Sequence, residues 1–148
     1  MTRADLLQFL RARRYAVQSS VSSEGAPQAA VIGIAVSDDF EIVFDTIETT
    51  RKARNLRRND RIALVFGSLE SDAVQTVQYE GGVDEPTGAH RERLIELYLS
   101  VFPDGRERQT WPGLIYFTAR MSWLRYSDFR CDPPEILELD PMSLRELP

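Results

Sequence analysis

The residues with the clearest chemical potential lie in one short stretch of the sequence. Thr46, Thr50, Arg51 and Lys52 bring two hydroxyl groups, a guanidinium and an ammonium into a span of seven residues. Lys52 is the only lysine of the chain, so a general use of lysine on the surface does not explain it. Hydroxyls donate hydrogen bonds to phosphate oxygens, and cations neutralise their charge. The stretch therefore has the groups that an anion site requires, and a phosphate monoester is the ligand that would suit it.

The secondary structure predicted around this stretch would suit the same ligand. Thr49 or Thr50 offers a hydroxyl as the N-cap of a short helix with Ala53 and Leu56 on its inner face. The two cations then fall in the first turn, where free N–H groups already make the helix end partly positive, and each cation costs roughly a few tenths of a kcal/mol. When an anion is bound at the helix start, the two cations stabilise the structure there instead of destabilising it. A solvated basic helix without a ligand is the alternative, and this stretch alone favours neither.

The composition limits the classes of function. The chain of 148 residues suits a single domain over 1–148, and its one cysteine, Cys131, excludes an intrachain disulfide. Neither a signal-like apolar run nor one of bilayer length is present, so we expect a cytoplasmic protein that does not bind membranes. The net charge is -5, yet residues 51–61 carry six of the 18 basic residues. Because the positive charge is local, it favours a small anionic ligand over nucleic acid.

Short apolar or alternating runs separated by turn residues predict a mainly β protein with flanking helices. Strands are expected over 15–21, 28–36, 41–46, 61–66, 74–83, 114–126 and 135–139. Helices are expected over 2–14, after Thr50 and over 87–102, with a turn at 68–72 and a β-bulge at Gly81 and Gly82. Six or seven antiparallel strands with two or three helices indicate a small closed or half-open barrel.

The strand expected over 28–36 is apolar on both faces. The two faces consist of Ala29, Val31, Gly33 and Ala35 on one side and of Ile32, Ile34 and Val36 on the other. A face of small residues lets a planar ligand or the backbone of a second subunit come close. A tightly packed core strand is the alternative. The double-sided apolar character also predicts that a second chain covers part of this strand.

No catalytic residue and no metal site are predicted. The lone His90 stands in a polar helix start, and no Cys/His cluster has metal-ligand spacing. Neither a G-x-S-x-G nucleophile motif nor a Gly-rich phosphate loop is present. Cys131 has no histidine nearby in the sequence, so we expect a buried or idle thiol.

Five fragments, in order and with matching spacing, resemble one family over residues 5 to about 127. They are YAV at 15–17, EGAPQ at 24–28, FDT at 44–46, TRKARNLRRN at 50–59 and VQYEG at 77–81. The chain resembles the pyridoxamine 5'-phosphate oxidase-like, FMN-binding split-barrel proteins. The resemblance implies a split β-barrel homodimer with two cofactor sites at the subunit interface. The implied cofactor contacts are Thr46, Thr50, Arg51 and Lys52 at the flavin phosphate, Ala30, Val31 and Ile32 along the isoalloxazine, and Gln78 from a later strand.

One departure from the family concerns the substrate. The pyridoxamine phosphate oxidases proper carry an Arg-Leu-His-Asp-Arg-type segment that helps to hold the substrate, whereas this chain has no histidine at 123–130. The departure argues against oxidation of vitamin B6 and leaves another small planar substrate. Trp123 and Arg125 either border that substrate from the partner subunit or serve as a core tryptophan and a surface arginine.

The function implied by the resemblance is a flavin-dependent oxidoreductase that uses FMN and acts on a small-molecule substrate. Some relatives use the deazaflavin F420, whose acidic tail would suit Arg54, Arg57 and Arg58, so F420 is the alternative cofactor. A protein that only stores or carries a flavin, a heme or a pyridoxal phosphate is a second alternative. A nucleic-acid binder ranks below both, because no run of exposed aromatic residues accompanies the basic charge.

Overall fold

The helices and strands follow the apolar runs and turn residues of the sequence. The computed structural model describes residues 1–67 and 74–148, which contain five helices and eight strands. The helices are α1 (Arg3–Arg11), α2 (Arg51–Arg58), α3 (Gly88–Val101), α4 (Gly105–Arg108) and α5 (Pro141–Glu146). The strands are β1 (Tyr15–Val21), β2 (Pro27–Gly33), β3 (Ala35–Val36), β4 (Ile42–Ile47), β5 (Arg61–Gly67), β6 (Gln75–Asp84), β7 (Leu114–Asp128) and β8 (Glu135–Leu139). The turn predicted at 68–72 lies outside the described residues.

The strands form one antiparallel sheet that curls into a split barrel. Seven of them follow the order β2-β1-β5-β6-β7-β4-β3, and β8 pairs with β7 outside this path. β2 and β3 stand at opposite ends of that order, although only Ile34 separates them in the chain, so the sheet must curl until its ends meet. β2 comes close to β4, yet no ladder joins them in the described part of the chain. This gap splits the barrel, and the predicted fold class is confirmed.

The strand predicted over 28–36 is divided at Ile34. The Ile34 N–H donates to the Arg14 carbonyl at 2.9 Å, and its side chain is buried. β2 then pairs with β1, whereas β3 pairs with β4. This corner raises the number of strands above the expected six or seven. The helices also exceed the expected two or three, because α4 and α5 are each under two turns long and leave little periodic pattern. Among the described helices, none has the length and apolar character that a bilayer crossing requires.

Two apolar cores fix the position of β4. The larger fills the barrel beneath α1, and Tyr79, Tyr126 and Phe44 are among its bulkiest members. The smaller lies between α3 and the outer side of β3 and β4, and it includes Val43. Because Phe44 faces one core and Val43 the other, a one-residue slip of β4 would exchange residues between two different environments. The register of β4 is therefore strongly specified.

A β-bulge interrupts the pairing of β6 with β7. The register shifts between Glu80 and Gly81, which confirms the bulge predicted at Gly81 and Gly82. Gly81 has no room for a side chain, since a Cβ there would overlap the carbonyl oxygen of Arg120. A Cβ at Gly82 would meet nothing within 4 Å. The two neighbouring glycines thus differ sharply in their tolerance of a methyl group.

We expect Gly81→Ala to destabilise the protein and Gly82→Ala to leave its stability nearly unchanged. The methyl group at position 81 must push the β7 backbone away, and overpacking of this kind costs about 1–3 kcal/mol. For a chain of this size that loss lowers Tm by roughly 3–10 °C. Thermal unfolding of both variants, followed by circular dichroism, measures the difference. Equal Tm values for the two variants would contradict the bulge geometry.

Candidate functional site

The basic segment forms α2, and its first turn carries the two cations predicted to bind an anion. Thr50 is the N-cap, with φ -70° and ψ 156°, and its Oγ1 accepts a hydrogen bond from the Ala53 N–H at 3.3 Å. Of the two threonines that the sequence offered as N-cap, Thr50 is therefore the one that caps the helix and Thr49 is not. Ala53 and Leu56 are buried beneath the helix, as predicted, while the first turn contains Arg51 and Lys52 and no acid. The start of α2 therefore carries positive charge that the helix itself does not compensate.

Thr46 places a second hydroxyl beside this helix start. It lies near the end of β4, on the side that faces the barrel interior, and is 7% exposed. Thr46 Oγ1 lies 3.1 Å from Thr50 Oγ1, and Lys52 Nζ donates to Thr46 Oγ1 at 3.4 Å. The second distance is long for a hydrogen bond from an ammonium group, so the contact is weak. The Lys52 ammonium is thus placed next to two hydroxyls and keeps its charge available.

The cations of α2 differ in whether a carboxylate pairs with them. Within residues 1–67 and 74–148, neither Arg51 nor Lys52 forms an ion pair with a carboxylate. Arg57, in the last turn, pairs with Glu85 at 2.8 Å and with Glu48 at 3.3 Å. The Arg57 hydrogen bond holds the pKa of Glu85 below its ordinary value. Arg54 and Arg58 have no carboxylate partner among the described residues either, so what distinguishes Arg51 and Lys52 is their place at the positive end of the helix.

The acid next to Thr46 in the sequence points to the other side of β4. Asp45 accepts hydrogen bonds from the Tyr98 hydroxyl at 2.8 Å and from Arg108 Nε at 3.1 Å. Burial raises the pKa of Tyr98, and the nearby Asp45 charge raises it further, so the phenol stays protonated and donates at neutral pH. Strand alternation thus directs the Thr46 hydroxyl toward the site and the Asp45 carboxylate away from it.

A cleft of about 410 Å³ lies between the α2 N-terminus and strands β1 and β2. Its lining residues are Gln18, Ser20, Gln28, Ala29, Ala30, Thr50, Arg51 and Lys52. None of these side chains is acidic, and the two alanines leave room beside the cations. The cleft therefore offers a cationic, hydroxyl-bearing end for a phosphate and an uncharged wall for the rest of a ligand.

Asn55, which was not among the residues predicted for the site, holds α2 against this wall. Its side chain is buried, and its Nδ2 donates to Ser20 Oγ at 3.2 Å and to Gln28 Oε1 at 2.9 Å. These bonds join the helix to β1 and β2 and so set the distance between the cations and the uncharged wall. The sequence contained one sign of this role, because Asn55 places an amide next to Leu56 on the side of the helix that was expected to be buried.

Gln18 was not predicted either, although it lines the cleft. It points inward from β1 and is 1% exposed, and its Nε2 has no hydrogen-bond partner in the described part of the chain. The inward positions of β1 are Ala16, Gln18 and Ser20. Two polar residues at positions where a barrel interior favours apolar side chains were the signal that the sequence contained.

The other predicted contacts are divided among the cleft, the core and the outer surface. Ala30 lines the cleft, whereas Ile32 is buried in the barrel core. Val31 faces outward and is 68% exposed, and Gln78 is exposed on the outer side of β6. Strand pairing places four outward residues in one row, in the order Val31, Val17, Val65 and Gln78. The side chains of Val31 and Gln78 thus do not line the cleft of their own chain.

A second cleft, also of about 410 Å³, lies beside α5, and its lining contains acids as well as bases. Glu41 Oε1 lies 3.1 Å from His90 Nε2 and 3.4 Å from Arg120 Nε, and Arg120 also pairs with Asp84. His90 is the only histidine of the chain. Because its lining includes the acids Asp39 and Glu41, this cleft is a poorer anion site than the acid-free cleft beside α2. No group of three or more His, Cys, Asp or Glu suited to a metal ion occurs in residues 1–67 or 74–148.

Trp123 and Arg125 lie on the outer side of β7, so the core position considered for Trp123 is wrong. The two residues alternate with Leu124, whose side chain is buried in the barrel. Arg125 Nη1 pairs with Glu138 at 3.4 Å, in keeping with a surface arginine. Cys131 is exposed in the turn before β8, so the buried alternative is wrong and the idle thiol stays a prediction.

Comparison with known sequences identifies the family. The profile described as pyridoxamine 5'-phosphate oxidase matches residues 2–118, which include every residue of the cleft beside α2. The chain belongs to the pyridoxamine 5'-phosphate oxidase family. The resemblance stated from five short fragments is confirmed. No curated protein sequence matches this member of the pyridoxamine 5'-phosphate oxidase family.

Solved structures similar to this member of the pyridoxamine 5'-phosphate oxidase family share its fold and little of its sequence. A heme binding protein from Mycobacterium smegmatis is 14% identical with a TM-score of 0.84, and the match covers 99% of this chain and 61% of that one. A pyridoxamine 5'-phosphate oxidase-related, FMN binding protein from Nostoc punctiforme is 12% identical with a TM-score of 0.68, and the match covers 93% of this chain and 87% of that one. HutZ, the heme storage protein from Vibrio cholerae, is 13% identical with a TM-score of 0.70, covering 80% and 88%. This chain spans about three fifths of the Mycobacterium smegmatis protein.

Proposed function

We propose that this protein binds FMN in the cleft beside α2, with the flavin phosphate at the α2 N-terminus. The observation that carries the proposal is the pair Arg51 and Lys52, which have no carboxylate partner among the described residues and lie at a helix start with two threonine hydroxyls. A phosphate supplies the missing negative charge and accepts hydrogen bonds from all of these groups. The FMN-binding protein from Nostoc punctiforme, which shares the fold, supports FMN as the ligand.

The residues of the cleft hold and orient the cofactor. The cations and hydroxyls at the α2 N-terminus anchor the phosphate, and the wall at Ala29 and Ala30 lets a planar ring approach the backbone of β2. The isoalloxazine ring, when bound, supplies the hydride or electron transfer. The proposed function is therefore an FMN-dependent oxidoreductase acting on a small molecule, and no side chain is assigned as acid or base.

Heme is the second candidate ligand, because two of the similar structures are a heme binding protein and a heme storage protein. Heme iron takes an axial ligand such as a histidine, cysteine, methionine or tyrosine. The eight residues that line the cleft beside α2 include none of these types. His90 lies in the other cleft, 3.1 Å from Glu41. The cleft therefore suits FMN better than heme.

F420 is the alternative flavin-type ligand, and its acidic tail would need free arginines beyond the phosphate site. Arg54 Nη2 donates to the Thr49 carbonyl at 2.6 Å, and Arg57 pairs with two glutamates. Two of the three arginines expected to meet such a tail thus already have partners within the chain. This observation favours FMN.

We also propose a homodimer that joins through the outer face of β2, β1 and β5. The exposed apolar residues of this face are Tyr15, Val17, Val31 and Val65. Val17 pairs with both Val31 and Val65, so their side chains form a continuous patch of the kind that marks a protein interface. Gln78 follows Val65 in the same row. If the cofactor sites lie between the subunits, as the family resemblance implies, Gln78 of one subunit reaches the cofactor that the other subunit holds.

Addition of FMN to the purified protein tests the function. We expect one FMN per chain, with a change in flavin fluorescence, and loss of the visible absorbance when a nicotinamide donor is added; FMN and donor without protein are the control. Binding without bleaching would favour a carrier. A Soret band on addition of heme, together with no FMN binding, would favour the heme alternative. The mass of a copurifying small molecule would distinguish FMN from F420.

A further inference from the structure

We propose that the Gln18 amide is a further ligand-binding group, which donates a hydrogen bond to the planar part of the molecule in the cleft beside α2. The inference rests on the proposed function, because it takes FMN as that molecule. It adds a ring contact to the phosphate contacts at the helix start, and it comes from a residue outside the segments that the family resemblance assigns to the cofactor.

The burial of Gln18 is the first observation. Gln18 lies on the inner face of β1, opposite Ala30 of β2 and Leu64 of β5. Only 1% of the residue is exposed, and its Nε2 has no hydrogen-bond partner among the residues that the structure describes. Such an arrangement is unusual, because a buried amide loses its water and gains no bond in return. Gln18 also lines the cleft, so a bound molecule can supply the missing acceptor.

The polar neighbours of Gln18 do not share this deficiency. Ser20 and Gln28 pair across β1 and β2, and both accept hydrogen bonds from Asn55 Nδ2. Gln18 precedes Ser20 by two residues and lies on the same face of β1. This separates the two positions by about 7 Å and takes Gln18 away from Asn55. The polar side chains of this wall therefore have hydrogen-bond partners where α2 contacts the wall, whereas the Gln18 amide N–H groups have none among the described residues.

The position of Gln18 fits the ring of the ligand rather than its phosphate. The phosphate end is marked by Thr50, Arg51 and Lys52, all at the start of α2. Gln18 lies on the opposite wall beside Ala30, where the lining side chains are uncharged. A neutral amide N–H suits a neutral acceptor such as a ring carbonyl or ring nitrogen, whereas phosphate is better served by cations and hydroxyls.

Gln18→Leu tests the assignment with three measurements. The variant without ligand should unfold at the same temperature as the wild type or above it, because an unpaired buried amide has been removed. The Kd for FMN, from fluorescence titration, should rise about tenfold. The visible absorption bands of bound FMN should shift relative to the wild type, since the ring loses a hydrogen bond. Gln18→Met, which keeps the length of the side chain without the amide, gives the same readouts if the leucine variant does not fold.

Riboflavin, which lacks the phosphate, separates the two parts of the site. Gln18→Leu should weaken riboflavin and FMN binding by the same factor, whereas loss of the α2 cations should weaken FMN alone. Wild-type affinity for FMN in both folded Gln18 variants would overturn the Gln18 assignment and leave the FMN function intact. A loss seen with FMN and absent with riboflavin would overturn the assignment to the ring. A wild-type protein that binds neither flavin would overturn this proposal together with the proposed function.

Discussion

Replacement of Arg51 and Lys52 together by alanine is expected to weaken FMN binding by a factor of about 150 to 20,000. Each charge-assisted contact to a desolvated phosphate is worth ~1.5–3 kcal/mol. Two such contacts give this range, since ~1.4 kcal/mol corresponds to a factor of ten in Kd. The free energy of unfolding without ligand should be kept or slightly increased, because two cations leave the positive end of a helix. Flavin fluorescence titration and thermal unfolding measure the two effects.

The matched control is the double variant Arg58→Ala, Arg61→Ala. It removes the same charge from the same region of the chain, but Arg58 ends α2 and Arg61 begins β5, and neither residue lines the cleft beside α2. We expect its affinity for FMN to stay within about twofold of the wild type at physiological ionic strength, where exposed charges at a distance are screened. If both double variants bind FMN as tightly as the wild type, the phosphate does not bind at the α2 N-terminus.

Val31→Arg is expected to convert the proposed dimer into monomers at micromolar concentration. Val31 is 68% exposed and pairs with Val17 in the apolar row on the outer face of the sheet. In a dimer joined through this face, the guanidinium would be buried against apolar side chains, and an unpaired buried charge costs several kcal/mol. A cost of about 3 kcal/mol already raises the dimer dissociation constant more than a hundredfold. Sedimentation velocity measures the change.

Met142→Arg provides the control for added charge at an exposed apolar position. Met142 is 72% exposed on α5 and lies outside the proposed interface, so this variant should sediment like the wild type. A wild-type protein that sediments as a monomer at micromolar concentration would show that the dimer proposal is wrong. A monomeric Val31→Arg variant that keeps full FMN affinity would instead place the complete cofactor site within one chain.

Most of the fold could be predicted from the sequence because its strands are short, apolar and separated by turn residues. The division of the predicted strand 28–36 could not. Ile34 continues the alternation of apolar residues without interruption, and only the pairing of β2 with β1 and of β3 with β4 creates the corner there. Local periodicity reports which residues are buried, whereas a corner depends on which strands lie at the two ends of the sheet.

The candidate site divides in the same way. Residue types and helix capping were sufficient to locate the candidate anion site, because its cations and hydroxyls lie within seven consecutive residues. Gln18 was missed because it lies on β1, far in the sequence from the stretch 46–52. Asn55 was missed because its partners on β1 and β2 are known only from the tertiary structure. The outward direction of Val31 and Gln78 likewise follows from sheet register and not from the motif that contains them.

The opposite directions of Thr46 and Asp45 make the charge next to Lys52 depend on the register of β4. The turn at 37–41 leads into β4 and is closed by a hydrogen bond from the Ser37 N–H to the Glu41 carbonyl. A shift of β4 by one position would turn Asp45 toward the inner side, close to the α2 cations, and would take Phe44 out of the barrel core. The free-energy cost of removing Phe44 from that core opposes such a shift, so a change in the length of the turn should be absorbed within the turn. The two apolar cores thus keep a carboxylate away from a cationic site, although it is adjacent in the sequence to a threonine beside that site.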